Sequence, residues 1–242
     1  MVSGYFSLLG QTIEVFAGVC IYSLVAILIH EAGHAVAALL FGFEVVAVRV
    51  GPTDLKWEKR WSLTLNKGRW DIGFVRAQFR RVPGRWAALR CFVYILGGPL
   101  TNVCVAVLLA PFSLGSSFVG SVCGYVMLAS VIVGGANLIP FKSKLGLSDG
   151  ANILWILFRR RQREDFIFRL SLKARVKEIV ELSRSHKFQE AIDEIDRLKA
   201  RFLMLPGVNP DAVQNLLKMR DTFEKALAMT LTPDSPAQAL DA

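Results

Sequence analysis

One apolar run near the start of the chain contains a short cluster of ionisable residues, and this combination constrains the fold more than any other feature. The run covers residues 15–43, and its polar part is His30-Glu31-Ala32-Gly33-His34. About 20 apolar residues suffice for a helix to cross a bilayer. A charged side chain at the centre of such a helix costs roughly 2.5–3.5 kcal/mol, so an ionisable cluster there indicates a functional site.

The spacing of the cluster is that of a metal-binding helix. In a helix, His30 and His34 lie on one face, and Glu31 projects about 100° around the axis. This arrangement predicts two ligands of one zinc ion with Glu31 as a general base. Isolated matches to His-Glu-x-x-His also occur by accident on soluble helices. Here, however, two of the chain's three histidines form the motif within a segment apolar enough to cross a membrane, which favours the functional interpretation.

Hydropathy along the chain predicts a mainly α-helical, polytopic membrane protein. Of its 242 residues, 53% are hydrophobic, which is too many for an ordinary soluble domain. Spanning segments are predicted at about 13–41, 86–112 and 118–139. The third segment breaks over residues 140–148 and resumes over 149–158.

The distribution of basic residues predicts the orientation in the membrane. Residues 44–90 contain eleven Lys and Arg against four acidic residues, and four arginines lie within residues 159–163. Such clusters mark the cytoplasmic side of a membrane rather than a nucleic-acid surface. We therefore expect three crossings, with the N-terminus outside and the C-terminus in the cytoplasm.

The hydrophobic period changes to two between the first and second segments, within residues 44–80. The alternating rows are Trp61, Leu63 and Leu65 before the turn at Lys67-Gly68, and Trp70, Ile72 and Phe74 after it. These rows predict a membrane-associated β-hairpin that pairs 61–65 with 70–74, and residues 46–50 could add a strand. The alternative is a ribbon that lies on the lipid surface.

The rest of the chain, residues 159–242, loses this hydrophobicity. Three apolar stripes of helical period over residues 159–231 predict a cytoplasmic helical module that resembles a tetratricopeptide-type hairpin. The stripes are short, so we expect the module to bind a protein partner or to self-associate. A self-contained cap that only stabilises the protein is the alternative. Residues 232–242 are predicted to be a disordered tail.

Two histidines do not complete a catalytic zinc site, which needs a third protein ligand. Glu14 lies about 24 Å from His30 along the same helix, which is too far. His186 belongs to the soluble tail. Asp149, at the restart of the third segment, remains as the candidate ligand, and its alternative role is to cap the following helix.

Three motifs in order along the chain resemble the site-two protease family of intramembrane zinc metalloproteases. They are His30 to His34 in the first segment, Gly97-Gly98-Pro99-Leu100-Thr101-Asn102 in the second, and Asn137-Leu138-Ile139-Pro140 followed by Asp149-Gly150 in the third. The resemblance covers about residues 13–158. One departure is the polar loop of eight residues between Pro140 and Asp149, which is longer than usual in the family. It leaves the geometry of the third ligand open.

The resemblance implies a role for each of these residues. His30, His34 and Asp149 would bind zinc, and Glu31 would activate water. A substrate strand would be clamped against the hairpin region, for which Trp61, Leu63 and Leu65 are the candidate contacts, and Asn102 would orient the substrate.

The function expected from these features is regulated intramembrane proteolysis in a bacterial inner membrane. The chain would be a zinc endopeptidase that lies in the lipid bilayer and cuts transmembrane or juxtamembrane segments of single-span membrane proteins. The alternative is a non-proteolytic adaptor that binds membrane substrates and recruits partners through its tail. A metal transporter would need polar groups across the bilayer, and the second and third segments offer hardly any.

Overall fold

Three long apolar helices form the first part of the chain. They are α1 (Val2–Leu40), α2 (Ala87–Leu109), which continues into a 3₁₀ turn at Ala110–Phe112, and α3 (Phe118–Leu138). Each contains a stretch long and apolar enough to cross a membrane, which confirms the three predicted segments. The helices pack against one another, and apolar side chains such as Phe16, Leu108 and Phe118 remain exposed on their outer faces.

The computed structural model describes residues 2–51, 53–57, 61–65, 73–115, 117–143, 146–205 and 210–231. The chain divides into two compact units, Met1–Ser171 and Leu172–Ala242. Trp70 and Ile72 of the predicted hairpin lie outside the described residues, as does the predicted disordered tail.

A four-stranded antiparallel sheet connects α1 to α2. Its strands are β1 (Phe43–Val50), β2 (Thr53–Trp57), β3 (Trp61–Leu65) and β4 (Gly73–Phe79), in the order β3-β2-β1-β4. Among the described residues, the predicted pairing of 61–65 with 70–74 is not found, because Phe74 lies opposite Arg49 of β1. Strand β3 pairs with β2, and β4 pairs with β1, so β3 and β4 form opposite edges of the sheet.

The central position of β1 explains this difference. Phe43, Val45 and Ala47 are buried, and Val46, Val48 and Val50 are half-buried. A largely apolar strand of this kind suits the interior of a sheet, because an apolar strand at an exposed edge favours aggregation. Phe43 also lies opposite Phe79 of β4, with ring centroids 4.3 Å apart. Such an aromatic cross-strand pair stabilises the β1–β4 pairing.

The third segment breaks where the sequence predicts. A short pair of strands, β5 (Lys142–Ser143) and β6 (Gly146–Leu147), leads into α4 (Asp149–Phe158). The main core of the first unit lies where the sheet meets α1, α2 and α4. Its buried residues are Ala38, Phe43, Val45, Ala77, Phe79, Ala87, Cys91, Tyr94, Ile95 and Ile156.

Three helices follow, as the apolar stripes predict. They are α5 (Arg160–Arg184), α6 (Phe188–Leu203) and α7 (Pro210–Leu231). The compact units divide after Ser171 rather than after residue 158, because Phe166, Ile167 and Leu170 of α5 pack against the core of the first unit. In the second unit, Ile179 and Ile195 are fully buried.

Candidate metal centre

Two histidines of α1 and the first residue of α4 meet at one point. Nε2 of His30 lies 2.9 Å from Oδ2 of Asp149, and Nε2 of His34 lies 3.3 Å from the same oxygen. The two Nε2 atoms are 3.2 Å apart. Both histidines are buried, and Asp149 is partly buried. These three side chains form a group that could hold a metal ion.

A backbone carbonyl fixes the orientation of His34. Its Nδ1 donates a hydrogen bond to the carbonyl oxygen of Tyr94, at 2.9 Å. The proton on Nδ1 leaves the lone pair of Nε2 directed at the centre, as a metal ligand requires. The Tyr94 hydroxyl donates to the carbonyl of Val75 at 2.6 Å, so one residue of α2 contacts both the centre and strand β4.

The side chain of Asn102 lies beside His30, as the Tyr94 carbonyl lies beside His34. Its side-chain amide is fully buried and lies 3.4 Å from Nδ1 of His30. In the orientation that satisfies both its ends, the amide nitrogen donates to the Ala26 carbonyl at 3.1 Å, and the oxygen accepts from the Gly134 amide at 3.3 Å. That oxygen also faces Nδ1 of His30. Asn102 therefore lies behind His30, on the side of the ring away from the centre.

Glycines of α2 let the backbone approach the histidines closely. A Cβ atom on Gly98 would lie 2.7 Å from Nε2 of His30 and in collision with Nε2 of His34. A Cβ atom on Gly97 would lie 2.7 Å from the carbonyl oxygen of Gly33 in α1. Gly97 therefore serves the packing of the two helices, whereas Gly98 leaves space directly beside the two Nε2 atoms.

Glu31 lies next to the histidines and faces the beginning of β4. A Cβ atom on Gly73 would come within 2.6 Å of Oε1 of Glu31. The other carboxylate oxygen, Oε2, is buried and has no hydrogen-bond partner. A buried polar group without a partner costs about 1–3 kcal/mol, and more when it is charged. This oxygen is therefore available to bind a further group at the centre.

A cleft of about 490 Å³ opens beside the centre. One wall is strand β4 over residues 73–77, and another is formed by Phe141 and residues 146–148. Leu63 and Leu65 are exposed on β3 at the far edge of the sheet and do not belong to the lining, whereas the side chain of Trp61 lies outside the described part of the structure. Asn102 does not belong to it either.

The predicted site residues therefore separate into three groups. The structure brings together His30, Glu31, His34 and Asp149, it places Asn102 behind His30, and it leaves Leu63 and Leu65 away from the cleft. The sequence reasoning missed Tyr94 and Gly73. Tyr94 contacts the site through its backbone carbonyl, and Gly73 leaves room for Glu31 because it has no side chain. Neither contact leaves a signal in hydropathy or spacing.

No family model, curated protein or solved structure matches this chain.

Proposed function

We propose that this protein is an intramembrane zinc endopeptidase that cleaves transmembrane or juxtamembrane segments of other membrane proteins. The observation that carries the proposal is the meeting of His30, His34 and Asp149 beside the buried carboxylate of Glu31. His30 and Asp149 are 119 residues apart in the chain and 2.9 Å apart in space. Burying such a cluster of ionisable groups among apolar helices costs free energy, so its presence indicates a function.

The ligand set fits zinc. Two imidazole nitrogens and one carboxylate, with a fourth position open, are a recurrent catalytic zinc arrangement. Ligand atoms of tetrahedral zinc, with bonds of about 2.0–2.2 Å, lie roughly 3.3–3.6 Å apart. The three separations here are 2.9, 3.2 and 3.3 Å, so small side-chain shifts would complete the geometry. The space beside Gly98 fits the same group.

Glu31 would act as the general base. The chemistry that bound zinc supplies is polarisation of the scissile carbonyl and activation of water. The Oε2 atom of Glu31, which has no partner, would accept a proton from the attacking water and pass it to the leaving amine. Gly73 leaves room for this carboxylate, because any larger residue would displace it.

The site lies within the membrane span. His30 is ten residues before the end of α1 at Leu40, which corresponds to about 15 Å along the helix. Strand β4 begins at the same depth, because Gly73 contacts Glu31. Backbone that is not helical is tolerated at such depth only where protein buries it or where it lines a water-filled cavity. This supports a cleft that admits water and peptide.

Strand β4 is the candidate binding edge for the substrate. It lines the cleft and pairs with β1 on one side only, within the described strands. A helical substrate has to unwind before its backbone can be cut, and each unpaired backbone group in lipid costs several kcal/mol. Pairing with β4 would satisfy those groups. We therefore assign to β4 the clamping role that the sequence suggested for the whole hairpin region.

We also propose an orientation in the membrane and a binding role for the second unit. The basic clusters favour an N-terminus outside and a cytoplasmic C-terminus. A bacterial inner membrane is the proposed setting. The helices of the second unit would bind a partner protein or a second copy. The long loop before Asp149 favours the non-catalytic adaptor, because it leaves the position of the third ligand open. Asp149 nevertheless lies 2.9 Å from His30, which supports the catalytic alternative.

Replacing Asp149 tests the metal site. We expect Asp149→Ala to lower zinc affinity by about 10–100-fold and to reduce cleavage in parallel, because two histidines alone hold the ion. Asp149→Asn should give a smaller loss, since the amide oxygen can still coordinate without its charge. Zinc content of the purified protein in detergent or lipid, measured against a competing chelator, gives the result.

The matched control for this pair is Asp165→Ala, in the first turns of α5, where no zinc is expected to bind. Zinc bound to Asp149→Ala with wild-type affinity would show that another group completes the site. Wild-type protein without stoichiometric zinc would refute the proposed function itself.

Proline substitutions on the two edge strands test the substrate clamp. Val75→Pro in β4 removes a backbone donor in the wall of the cleft, and Thr64→Pro makes the same change in β3. We expect Val75→Pro to lower cleavage by about tenfold, the equivalent of roughly one backbone hydrogen bond. Thr64→Pro should cleave at nearly the wild-type rate. The measurement is kcat/KM on a reconstituted single-span substrate, with zinc content determined for each variant.

Both variants change an edge strand, so local damage to the sheet is matched. Equal losses in the two variants would show that the sheet supports the fold but does not bind substrate.

A further inference from the structure

We propose that Ser148 is a positioning residue that holds Asp149 at the metal centre by closing the loop between α3 and α4. This inference rests on the proposed zinc site and adds the element that brings its third ligand into place. The loop contains eight residues between Pro140 and Asp149, with charged side chains among them. A polar loop of this length has many possible end positions, so something has to fix where it returns.

Ser148 makes four hydrogen bonds, three that close this loop and one that caps α4. Its hydroxyl donates to the carbonyl of Ile139 at 2.7 Å and accepts from the amide of Phe141 at 3.0 Å. Its own amide donates to the carbonyl of Phe141 at 3.0 Å. The same hydroxyl oxygen accepts from the amide of Ala151 at 3.3 Å, which caps α4. Ser148 is buried, so these bonds are shielded from water.

The cap on α4 therefore comes from Ser148 and not from Asp149. The sequence left capping open as an alternative role for Asp149. Because the neighbouring serine takes that role, the Asp149 carboxylate is free to face His30 and His34, at 2.9 and 3.3 Å.

A second contact holds the two ends of the loop together. A Cβ atom on Gly150 would collide with the carbonyl oxygen of Leu138, the last residue of α3. The backbone of α4 thus begins directly against the end of α3. Asp149 lies between Ser148 and Gly150, so its position is fixed from both sides.

Substitutions at Ser148 test this inference in the full-length protein. We expect Ser148→Ala to weaken zinc affinity by about tenfold, the lower end of the range for groups that orient metal ligands. The visible spectrum of the cobalt-substituted protein should change as well, because it reports ligand geometry directly. Ser148→Thr keeps the hydroxyl and should retain both properties.

Two further variants separate the effect of the Ser148 hydroxyl on Asp149 from an effect on general stability. Ser148→Gly removes the hydroxyl, yet glycine is well tolerated at N-cap positions, so α4 should persist while zinc affinity falls as in Ser148→Ala. Ser130→Ala is the matched control, because Ser130 is fully buried in α3 and its hydroxyl has no hydrogen-bond partner. Its zinc affinity and cobalt spectrum should equal those of the wild type.

Wild-type zinc affinity and an unchanged cobalt spectrum in Ser148→Ala or Ser148→Gly would overturn the inference and leave the proposed function intact. Equal losses in Ser148→Ala and Ser130→Ala, or in Ser148→Ala and Ser148→Thr, would also overturn it, since the hydroxyl would then not be the cause. Absence of zinc from the wild-type protein would overturn the proposed function, and the role of Ser148 would fall with it.

Discussion

Replacement of Glu31 by glutamine is expected to lower peptide-bond cleavage by about 10²–10⁴-fold, the usual effect of removing a general base. Bound zinc should stay at the wild-type level, because Glu31 does not belong to the His30, His34 and Asp149 group. Glutamine has nearly the same shape as glutamate, so it fits beside Gly73 without a new collision. The result is read from single-turnover cleavage and zinc content measured on the same preparation.

Glu178→Gln is the control for this substitution, because Glu178 is exposed on α5, in the second unit. It should cleave at the wild-type rate. Near-normal turnover by Glu31→Gln would remove Glu31 from the mechanism. If neither the wild type nor Glu31→Gln cleaves, but both bind the same membrane protein, the adaptor alternative is correct.

Local patterns in the sequence predicted the long apolar helices and the shared helical face of His30 and His34. Hydropathy over about 20 residues identifies a spanning helix, and the three predicted segments coincide with α1, α2 and α3. The spacing of His30 and His34 fixes their shared face once the segment is helical. The break before Asp149 is visible in the sequence because proline and charged residues interrupt the apolar run.

Strand pairing could not be predicted in the same way. Alternation of period two shows which residues share a face, but it does not show which strand is the neighbour. The rows at 61–65 and 70–74 looked like a hairpin because they are adjacent in sequence. The structure gives β3 the partner β2 and β4 the partner β1, so that β1 pairs along both of its edges.

The contacts around the centre depend on tertiary placement as well. Ser148 and Asp149 are adjacent and can both cap a helix, so the sequence does not show which one does. The structure assigns the cap to Ser148 and the centre to Asp149. Asn102 was expected to orient substrate, but it lies behind His30, where it faces the nitrogen that does not point at the centre.

Gly98→Ala is expected to disrupt the proposed metal site although it should favour the helix. Alanine stabilises a helix by up to about 1 kcal/mol relative to glycine, so propensity alone predicts a more stable α2. The new methyl group, however, would occupy the space beside Nε2 of His30 and of His34. Displacing a reacting group by about 1 Å can cost on the order of 10²-fold in rate, so we expect at least this loss of cleavage together with weakened zinc binding.

Gly135→Ala provides the control, because it makes the same chemical change in α3 where a Cβ atom would meet nothing within 4 Å. It should keep wild-type zinc affinity and activity. A loss confined to Gly98→Ala would tie the defect to the space between the two histidines, since helix propensity changes equally in both variants. Normal zinc binding and cleavage in Gly98→Ala would show that the ion does not occupy this space, which would contradict the proposed geometry of the site.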